Sequence, residues 1–245
     1  MKPFLTIFVW VLVLSLSYIA EGGDSQKALG GTSSRILDFE GPLKSIPVKD
    51  LDFKDAPIDK IVDVLVGEYG VPCSLENVWP EGTPQRRFHF HFRNGNINDV
   101  VKEVTKWHAN RYIWTGSALL NSGLYNILPH DLLRDDTYIF SKRADLKTDK
   151  PTTAKKALEM LFDLPILKSD AIKLVQPLPS LDEPSKSPIS INFEGSPIRD
   201  ILSYICRKAG MRWMAEGTPE HITLRIIPIA KVNSIFSEDQ TKEGF

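Results

Sequence analysis

The chain has 245 residues, of which 42% are hydrophobic and 25% are charged, proportions that are ordinary for a globular protein. Its 30 Lys and Arg residues nearly balance its 31 Asp and Glu residues, so the formal net charge is -1. This balance excludes a general electrostatic attraction to nucleic acid or to anionic lipid. We therefore expect no nucleic-acid partner.

Residues 1–22 have the pattern of an export signal. Lys2 supplies a short positive start, and residues 4–19 carry no charge, which is the order of segments in a secretory signal peptide. We predict a signal peptide over residues 1–22 and a periplasmic or secreted protein. No later segment is apolar enough for us to predict a membrane span.

The cleavage site has two candidates. Small residues suited to cleavage occur at Ala20–Gly22 and at Ser15–Ser17. The alternative is an uncleaved inner-membrane anchor through residues 4–20, although this run is slightly short for the ~20 residues that span a bilayer.

An internal repeat lies between two polar segments. Residues 23–46 are rich in Gly, Ser and charge and predict a flexible lead-in, and residues 231–245 predict a flexible tail. Residues 51–62 align with residues 191–202 without a gap, and residues 90–101 form a weaker third copy. Repeats of this kind indicate that one structural unit recurs along the chain.

Each copy has the pattern of a strand–helix–strand unit. Alternating hydrophobic residues predict a strand with one buried face, and a turn of Asp, Ala, Gly or Asn follows. Pro57 and Pro197 suit a first helical turn, and Gly70 and Gly210 suit the left-handed residue that ends a helix. Apolar residues at i, i+3, i+4 and i+7 predict the helices, and second strands follow at Val71–Leu75, Arg111–Thr115 and Met211–Ala215.

Residues 137–176 are interpreted as a fourth, diverged copy. We predict a strand over Thr137–Ser141, a helix over Thr152–Phe162 and a returning strand over Ala171–Val175. The helix is expected to bury Ala154, Ala157, Leu158 and Leu161. The four prolines of residues 176–188 predict an exposed connection.

The copies group into an α+β fold of two tandem βαββαββ modules, with helices packed on short sheets. The first module covers residues 47–133 and the second covers residues 137–230. Each is expected to finish with a closing strand that ends in proline, at Leu124–Leu128 and at His221–Ile227.

Two of the copies resemble the short N-terminal domain of secretins and TonB-dependent receptors, the STN type. The resemblance rests on a strand that ends in Phe, then a Pro-Ile pair, an amphipathic helix and a Gly. These residues are Phe53–Ile58 with Gly70, and Phe193–Ile198 with Gly210. The first module is also similar to the C-terminal domain of FecR-type regulators.

The resemblance implies a periplasmic signalling or docking module of a double-membraned bacterium, because such domains bind partner proteins of trans-envelope machines. We expect a free-standing protein made of these modules alone, without a secretin pore. Since a fold does not fix a function, the resemblance implies an envelope protein partner without naming it.

His89 and His91 supply the one candidate metal-binding pattern. They lie two residues apart on a predicted strand, so their imidazoles share a face. This is the alternative function: a periplasmic metal- or glycan-binding protein, or a small hydrolase, that uses the His89/His91 face. Because Phe88, Phe90 and Phe92 occupy the inner face, we interpret both His as part of an exposed polar face. The chain lacks nucleophile, phosphate-binding, zinc-protease and dinucleotide motifs, so we predict no catalytic residue, cofactor or metal.

The only cysteines are Cys73 and Cys206. An oxidising compartment permits a disulfide between them, but they fall on a predicted strand and on a predicted helix, far apart in sequence. Two buried free thiols are the favoured interpretation, and a disulfide remains the alternative.

Docking is predicted through a free sheet edge or a helix groove. The closing strands are expected to form such edges, which makes Leu124, Asn126 and Thr223 candidate partner-binding residues. Trp79 lies in a predicted loop, where it either anchors a partner or packs to close the loop.

Overall fold

The computed structural model describes residues 43–106, 111–116, 124–168, 172–174 and 188–229. The predicted signal peptide, the predicted flexible lead-in up to residue 42, the predicted flexible tail and most of the proline-rich connection lie outside these ranges. The fold is α+β, with helices packed against mixed sheets. Among the described helices, none combines the length and the hydropathy that a membrane span requires.

The helices and strands follow the predicted order closely. The four long helices coincide with the predicted apolar stripes, and Gly70 and Gly210 both have φ of 68° after their helices, as predicted. In chain order the elements are β1 (Pro47–Pro57), α1 (Ile58–Gly67), β2 (Cys73–Val78), β3 (Arg87–Asn96), α2 (Ile97–Val104), β4 (Tyr112–Gly116), β5 (Tyr125–Pro129), α3 (His130–Leu133), β6 (Arg143–Lys147), α4 (Ala154–Phe162), β7 (Ile172–Leu174), β8 (Asn192–Pro197), α5 (Ile198–Lys208), β9 (Met211–Thr218) and β10 (His221–Pro228).

A six-stranded sheet in the order β4-β5-β2-β9-β10-β7 forms the centre of the fold. Strand β2 runs parallel to both β5 and β9, and β10 runs parallel to β7. The β4·β5 and β9·β10 pairs are antiparallel. Two further antiparallel pairs, β1·β3 and β6·β8, form separate two-stranded sheets.

Both halves of the chain contribute three strands to the central sheet in the same relative order. The seam between the halves is the parallel β2·β9 pair, with Leu75 opposite Met214 and Val78 opposite Gly217. The division into modules at residues 47–133 and 137–230 stays a prediction, because strands of both ranges share one sheet.

The central sheet separates two hydrophobic cores. Core A contains the apolar residues of α1 and α2, and core B contains those of α4 and α5. Strand β9 contributes to both, since Met214 belongs to core A while its neighbours Trp213 and Ala215 belong to core B. Successive residues of a strand point to opposite faces, so the first half places its helices on one face of the sheet and the second half on the other.

A left-handed residue precedes the helix in all three aligned copies. Asp55, Asn94 and Gly195 have φ of 52°, 53° and 52°. The register of the β1·β3 pairing shifts at Asp55, and that of the β6·β8 pairing shifts at Gly195, before each pairing resumes. In these two copies the segment predicted as a turn is therefore a bulge within a continuing strand, and the strand leads directly into the helix.

The strand predicted over Thr137–Ser141 is wrong. Three consecutive residues, Tyr138, Ile139 and Phe140, are all buried, which an alternating half-buried strand does not allow. The backbone instead forms a tight turn, in which Ser141 N–H donates to Tyr138 O at 2.9 Å. The strand begins later, at β6. The predicted helix and its four buried residues are confirmed in α4.

The expectation that the closing strands are sheet edges is also wrong. Strand β5 lies between β4 and β2, and β10 lies between β9 and β7. Each closing strand is enclosed because a parallel partner from the same half pairs with its second side. The edges of the central sheet are β4 and β7.

Candidate functional site

A buried ion pair joins the two halves at the seam. Glu76, on β2, is 0% exposed, and Arg199, at the second position of α5, is 4% exposed. The Arg199 Nε donates to Glu76 Oε1 at 2.8 Å, and Nη2 donates to Oε2 at 3.1 Å. This is the bidentate geometry that guanidinium and carboxylate groups favour.

The segment before β6 completes the surroundings of the guanidinium. Arg199 Nη1 donates to Ser141 Oγ at 3.1 Å, and Ser141 Oγ donates to Leu132 O at 2.6 Å. The Tyr138 ring lies 5.8 Å from the guanidinium carbon. Within the described residues the buried Tyr138 hydroxyl makes no hydrogen bond. Burial raises the pKa of Tyr138 well above its usual value, and the Glu76 charge acts in the same direction, so Tyr138 is neutral.

The geometry of this buried cluster indicates a structural role. Burial would lower the pKa of Arg199, but the Glu76 carboxylate outweighs that effect and raises it. Both carboxylate oxygens of Glu76 already accept from Arg199. The pair is buried and its polar atoms are bonded within the protein, so we interpret the cluster as a structural link between the two halves.

Asp200 is a half-buried carboxyl next to this pair. Burial raises its pKa to about 6, and Arg199 and Arg143 only partly offset that effect. A carboxyl whose pKa is higher in the folded state than in the unfolded chain stabilises the fold at low pH. That stability is lost as the pH rises through the folded-state value.

The Asp200→Asn variant should therefore lose this pH dependence. Relative to the variant, we expect the wild type to lose roughly 1–3 kcal/mol of unfolding free energy between about pH 4 and about pH 8. Urea unfolding at the two pH values measures the difference. Equal pH dependence of the two proteins would contradict the assignment.

A second buried polar network lies beside the ion pair. Trp213 Nε1 donates to Ser203 Oγ at 3.0 Å, and Asn126 Nδ2 donates to the same oxygen at 3.1 Å. The Trp213 backbone N–H donates to Ser74 Oγ at 3.1 Å. These four residues are 0% exposed, and they connect β2 and β5 of the first half to α5 and β9 of the second.

Three of the residues that were predicted to bind a partner are buried or lie on an interior strand. Leu124 is 1% exposed and Asn126 is 0% exposed, so neither is accessible to a partner. Thr223 is half-buried, but it lies on the interior strand β10, between Glu216 and Lys173. Sequence alone did not distinguish these interior strands from edges.

Trp79 packs against its own loop and the end of the sheet. Its Nε1 donates to Asn77 Oδ1 at 3.0 Å and to Tyr112 Oη at 3.2 Å. Its ring meets the Tyr112 ring edge-on at 5.3 Å, and Arg111 stacks over it at 5.4 Å. Of the two alternatives for Trp79, the structure supports loop-closing packing.

His89 and His91 lie on the exposed face of β3, as predicted. His91 Nε2 accepts from Arg93 Nε at 2.7 Å and lies 3.3 Å from Asp50 Oδ1, while its Nδ1 lies 3.6 Å from Asp52 Oδ1. In the described ranges, no group of three or more His, Cys, Asp and Glu side chains is arranged to hold a metal ion. The arrangement is that of solvent-exposed polar contacts on a sheet surface.

Both cysteines are free and buried. Cys73 belongs to core A and Cys206 to core B, so the sheet lies between them and the favoured interpretation of two free thiols is confirmed. Burial raises the pKa of Cys73 to about 12, despite the opposing effect of Arg212. Burial also raises the pKa of Cys206.

We expect neither thiol to react with a thiol reagent near neutral pH while the protein is folded, because the reactive thiolate is suppressed and shielded. Concentrated urea should expose both. A colorimetric thiol titration with and without urea checks this, and rapid labelling of the folded protein would contradict it.

The two edges of the central sheet differ in their capacity to accept a strand. Strand β7 is three residues long and carries the exposed Lys173, two features that protect natural sheet edges from further pairing. Strand β4 is five residues long, has the sequence YIWTG and carries no charge. In the described part of the chain β4 pairs with β5 alone, so among the described strands it is the longer, uncharged edge of the sheet.

The chain matches no protein-family model, no curated protein and no solved structure at a significant level. The resemblance to STN and FecR-type domains therefore stays a prediction.

Proposed function

We propose that this chain is an exported, non-enzymatic docking module of a bacterial cell envelope, and that it binds an extended segment of an envelope protein along the outer side of β4. Strand addition supplies main-chain hydrogen bonds for affinity and alternate side-chain positions for specificity. The observation that carries the proposal is the uncharged edge strand β4, which in the described part of the chain pairs on one side only, in contrast to the short and charged edge β7.

The chemistry of the described residues also favours binding over catalysis. The buried charges of Glu76 and Arg199 are paired with each other, and both thiols are buried and protonated. His91 lies on the exposed face of β3, in contact with Arg93, Asp50 and Asp52. None of these groups combines solvent access with the activated state that a nucleophile or general base needs.

Export is supported by the signal-like residues 1–22, and the envelope setting is supported by the resemblance to STN-type domains. Cell fractionation and N-terminal sequencing of the exported protein test this part of the proposal. We expect a chain that begins after a cleavage site near residue 20. Recovery of the full-length chain in the membrane fraction would favour the anchor alternative.

The docking part is tested by a photo-crosslinking residue placed at Thr115 in the producing bacterium. Thr115 and Thr223 are both half-buried threonines on strands of the same sheet, but Thr115 is on the edge strand β4 and Thr223 is on the interior strand β10. We expect one specific protein to crosslink at position 115 and none at position 223.

Once identified and purified, that protein should bind the wild-type chain, and Thr115→Lys should weaken the complex at least about tenfold, because a lysine on an edge strand opposes strand addition. Thr223→Lys is the matched control and should leave the affinity unchanged. Equal effects of the two variants, in proteins with unchanged circular dichroism, would contradict docking at β4.

A further inference from the structure

Arg111 and Gly210 occupy equivalent positions in the two halves of the central sheet. Each directly precedes the first residue of an antiparallel strand pair, β4·β5 for Arg111 and β9·β10 for Gly210. His130 N–H donates to Arg111 O at 2.9 Å, and Ile229 N–H donates to Gly210 O at the same distance. Both backbones are left-handed, with φ of 58° at Arg111 and 68° at Gly210. The two halves therefore contain the same backbone turn, with an arginine in one and a glycine in the other.

Arginine is the unfavourable residue for this turn. A left-handed backbone brings the Cβ of an L-residue close to the following carbonyl oxygen, whereas glycine adopts it without strain. In the described ranges the other non-glycine residues with positive φ are Asp55 and Asn94, two residue types that tolerate this conformation. A strained residue that a protein retains often has a functional side chain.

The contacts of the Arg111 side chain within the protein are weak ones. Its guanidinium carbon lies 5.4 Å from the centre of the Trp79 ring, and its Nη2 pairs with Asp131 Oδ2. The Arg111 and Asp131 side chains are 57% and 53% exposed. Exposed ion pairs and exposed cation–π contacts each contribute little to stability. Contacts of this size do no more than offset the strained backbone, so the stability of the fold does not account for the arginine.

The same contacts hold the guanidinium in place and leave it open to a partner. Trp79 covers one face of it, and among the described residues Asp131 is the one acceptor of its N–H groups. An arginine that is already ordered loses less conformational freedom on binding. Arginine supported by an aromatic ring is also a frequent energetic centre of protein interfaces.

We propose that Arg111 is a partner-binding residue whose guanidinium takes a carboxylate from an acidic segment of the envelope protein. A carboxylate matches the planar fork of a guanidinium through two parallel hydrogen bonds, and the N–H groups that Asp131 does not occupy are the donors. The inference rests on the proposed function for the existence of the partner, and it specifies the chemistry that the partner presents at this end of the sheet.

Arg111→Gly should be at least as stable as the wild type, with an equal or higher urea midpoint, because it removes the strain together with two weak contacts. Gly210→Ala is the matched control. A Cβ added at Gly210 would meet no atom within 4 Å, so this variant isolates the effect of a side chain in the turn and should lower the midpoint. A fall in the midpoint of Arg111→Gly would show that the arginine serves stability, and would overturn the inference.

Binding is tested by a photo-crosslinking residue placed at His130 in the producing bacterium, with His89 on the exposed face of β3 as the control position. We expect one specific protein to crosslink at position 130 and none at position 89. Purified, that protein should bind Arg111→Gly at least about tenfold more weakly than the wild type. Arg111→Lys should have an intermediate affinity, because it retains the charge and loses the fork.

The carboxylate is tested on the partner. Replacing the partner's acidic residue nearest to the crosslink by its amide should weaken binding to the wild type about tenfold and leave binding to Arg111→Gly unchanged, because the two groups act as a pair. Equal weakening with both chains would overturn the proposed pairing.

The absence of a specific adduct at position 130, or an affinity that Arg111→Gly does not change, would also overturn the inference. A crosslink at Thr115 would be unaffected by either result, so the proposed function would stand. An adduct at position 130 that depends on Arg111, without any adduct at Thr115, would instead support this inference and contradict docking along β4.

Discussion

Glu76→Gln should destabilise the fold by about 3–5 kcal/mol, because it leaves the buried Arg199 guanidinium without its countercharge. Arg199→Met should destabilise the fold by a similar amount, because it leaves the Glu76 carboxylate, which is 0% exposed, without its partner. The double variant Glu76→Gln/Arg199→Met should recover much of this loss, because it removes both charges from the core. Urea unfolding of the four proteins forms a double-mutant cycle, and the coupling energy should be at least about 2 kcal/mol.

Glu216→Gln is the matched control for this cycle. The offset of 140 residues that aligns residues 51–62 with residues 191–202 also aligns Glu76 with Glu216. The Glu216 side chain is 29% exposed, however, and that of its partner Arg225 is 44% exposed. A pair of this kind contributes about 0–1 kcal/mol. Additive effects of the Glu76 and Arg199 substitutions, or a Glu216→Gln effect as large as that of Glu76→Gln, would contradict a fastening role for the buried pair.

Asn126→Lys should prevent folding or reduce stability by more than about 4 kcal/mol. Asn126 is 0% exposed and bonds to Ser203, which also accepts from Trp213. A lysine there would bury an unpaired ammonium and break the shared network. Circular dichroism and thermal unfolding measure the effect.

Thr223→Lys serves as the control for this substitution as well. It also lies on an interior strand, but its side chain is only half-buried, and we expect a change within about 0.5 kcal/mol. A stable Asn126→Lys protein would mean that β5 is accessible, as an edge strand would be. That result would contradict the observed strand order.

Periodicity predicted the local elements of this fold well. The apolar stripes of α1, α2 and α5 depend only on spacing within one segment, and each of these helices lies where its stripe predicts. The positive φ at Gly70 and Gly210 was predictable for the same reason, since only glycine adopts it without strain. The strand over Thr137–Ser141 was wrong because a run of three apolar residues fits a buried turn as well as a strand.

The order of strands in the sheet was not predictable in this way. Whether β5 or β4 forms the edge depends on which of them pairs with the distant strand β2. The alternation of residues along one strand carries no information about its neighbours in the sheet. The burial of Glu76 and Arg199 was hidden for the same reason. In the sequence each is typical of a surface charge, and its burial results only from the pairing of the two halves at the β2·β9 seam.

The outer side of β4 is proposed to receive a partner strand. Hydrogen–deuterium exchange of the purified complex with the crosslinked envelope protein tests it residue by residue. We predict that amides of Tyr112–Gly116 gain protection when the partner binds, while those of the short edge β7 do not change. Unaltered exchange in β4, together with new protection at β7 or on the His89/His91 face, would contradict the account.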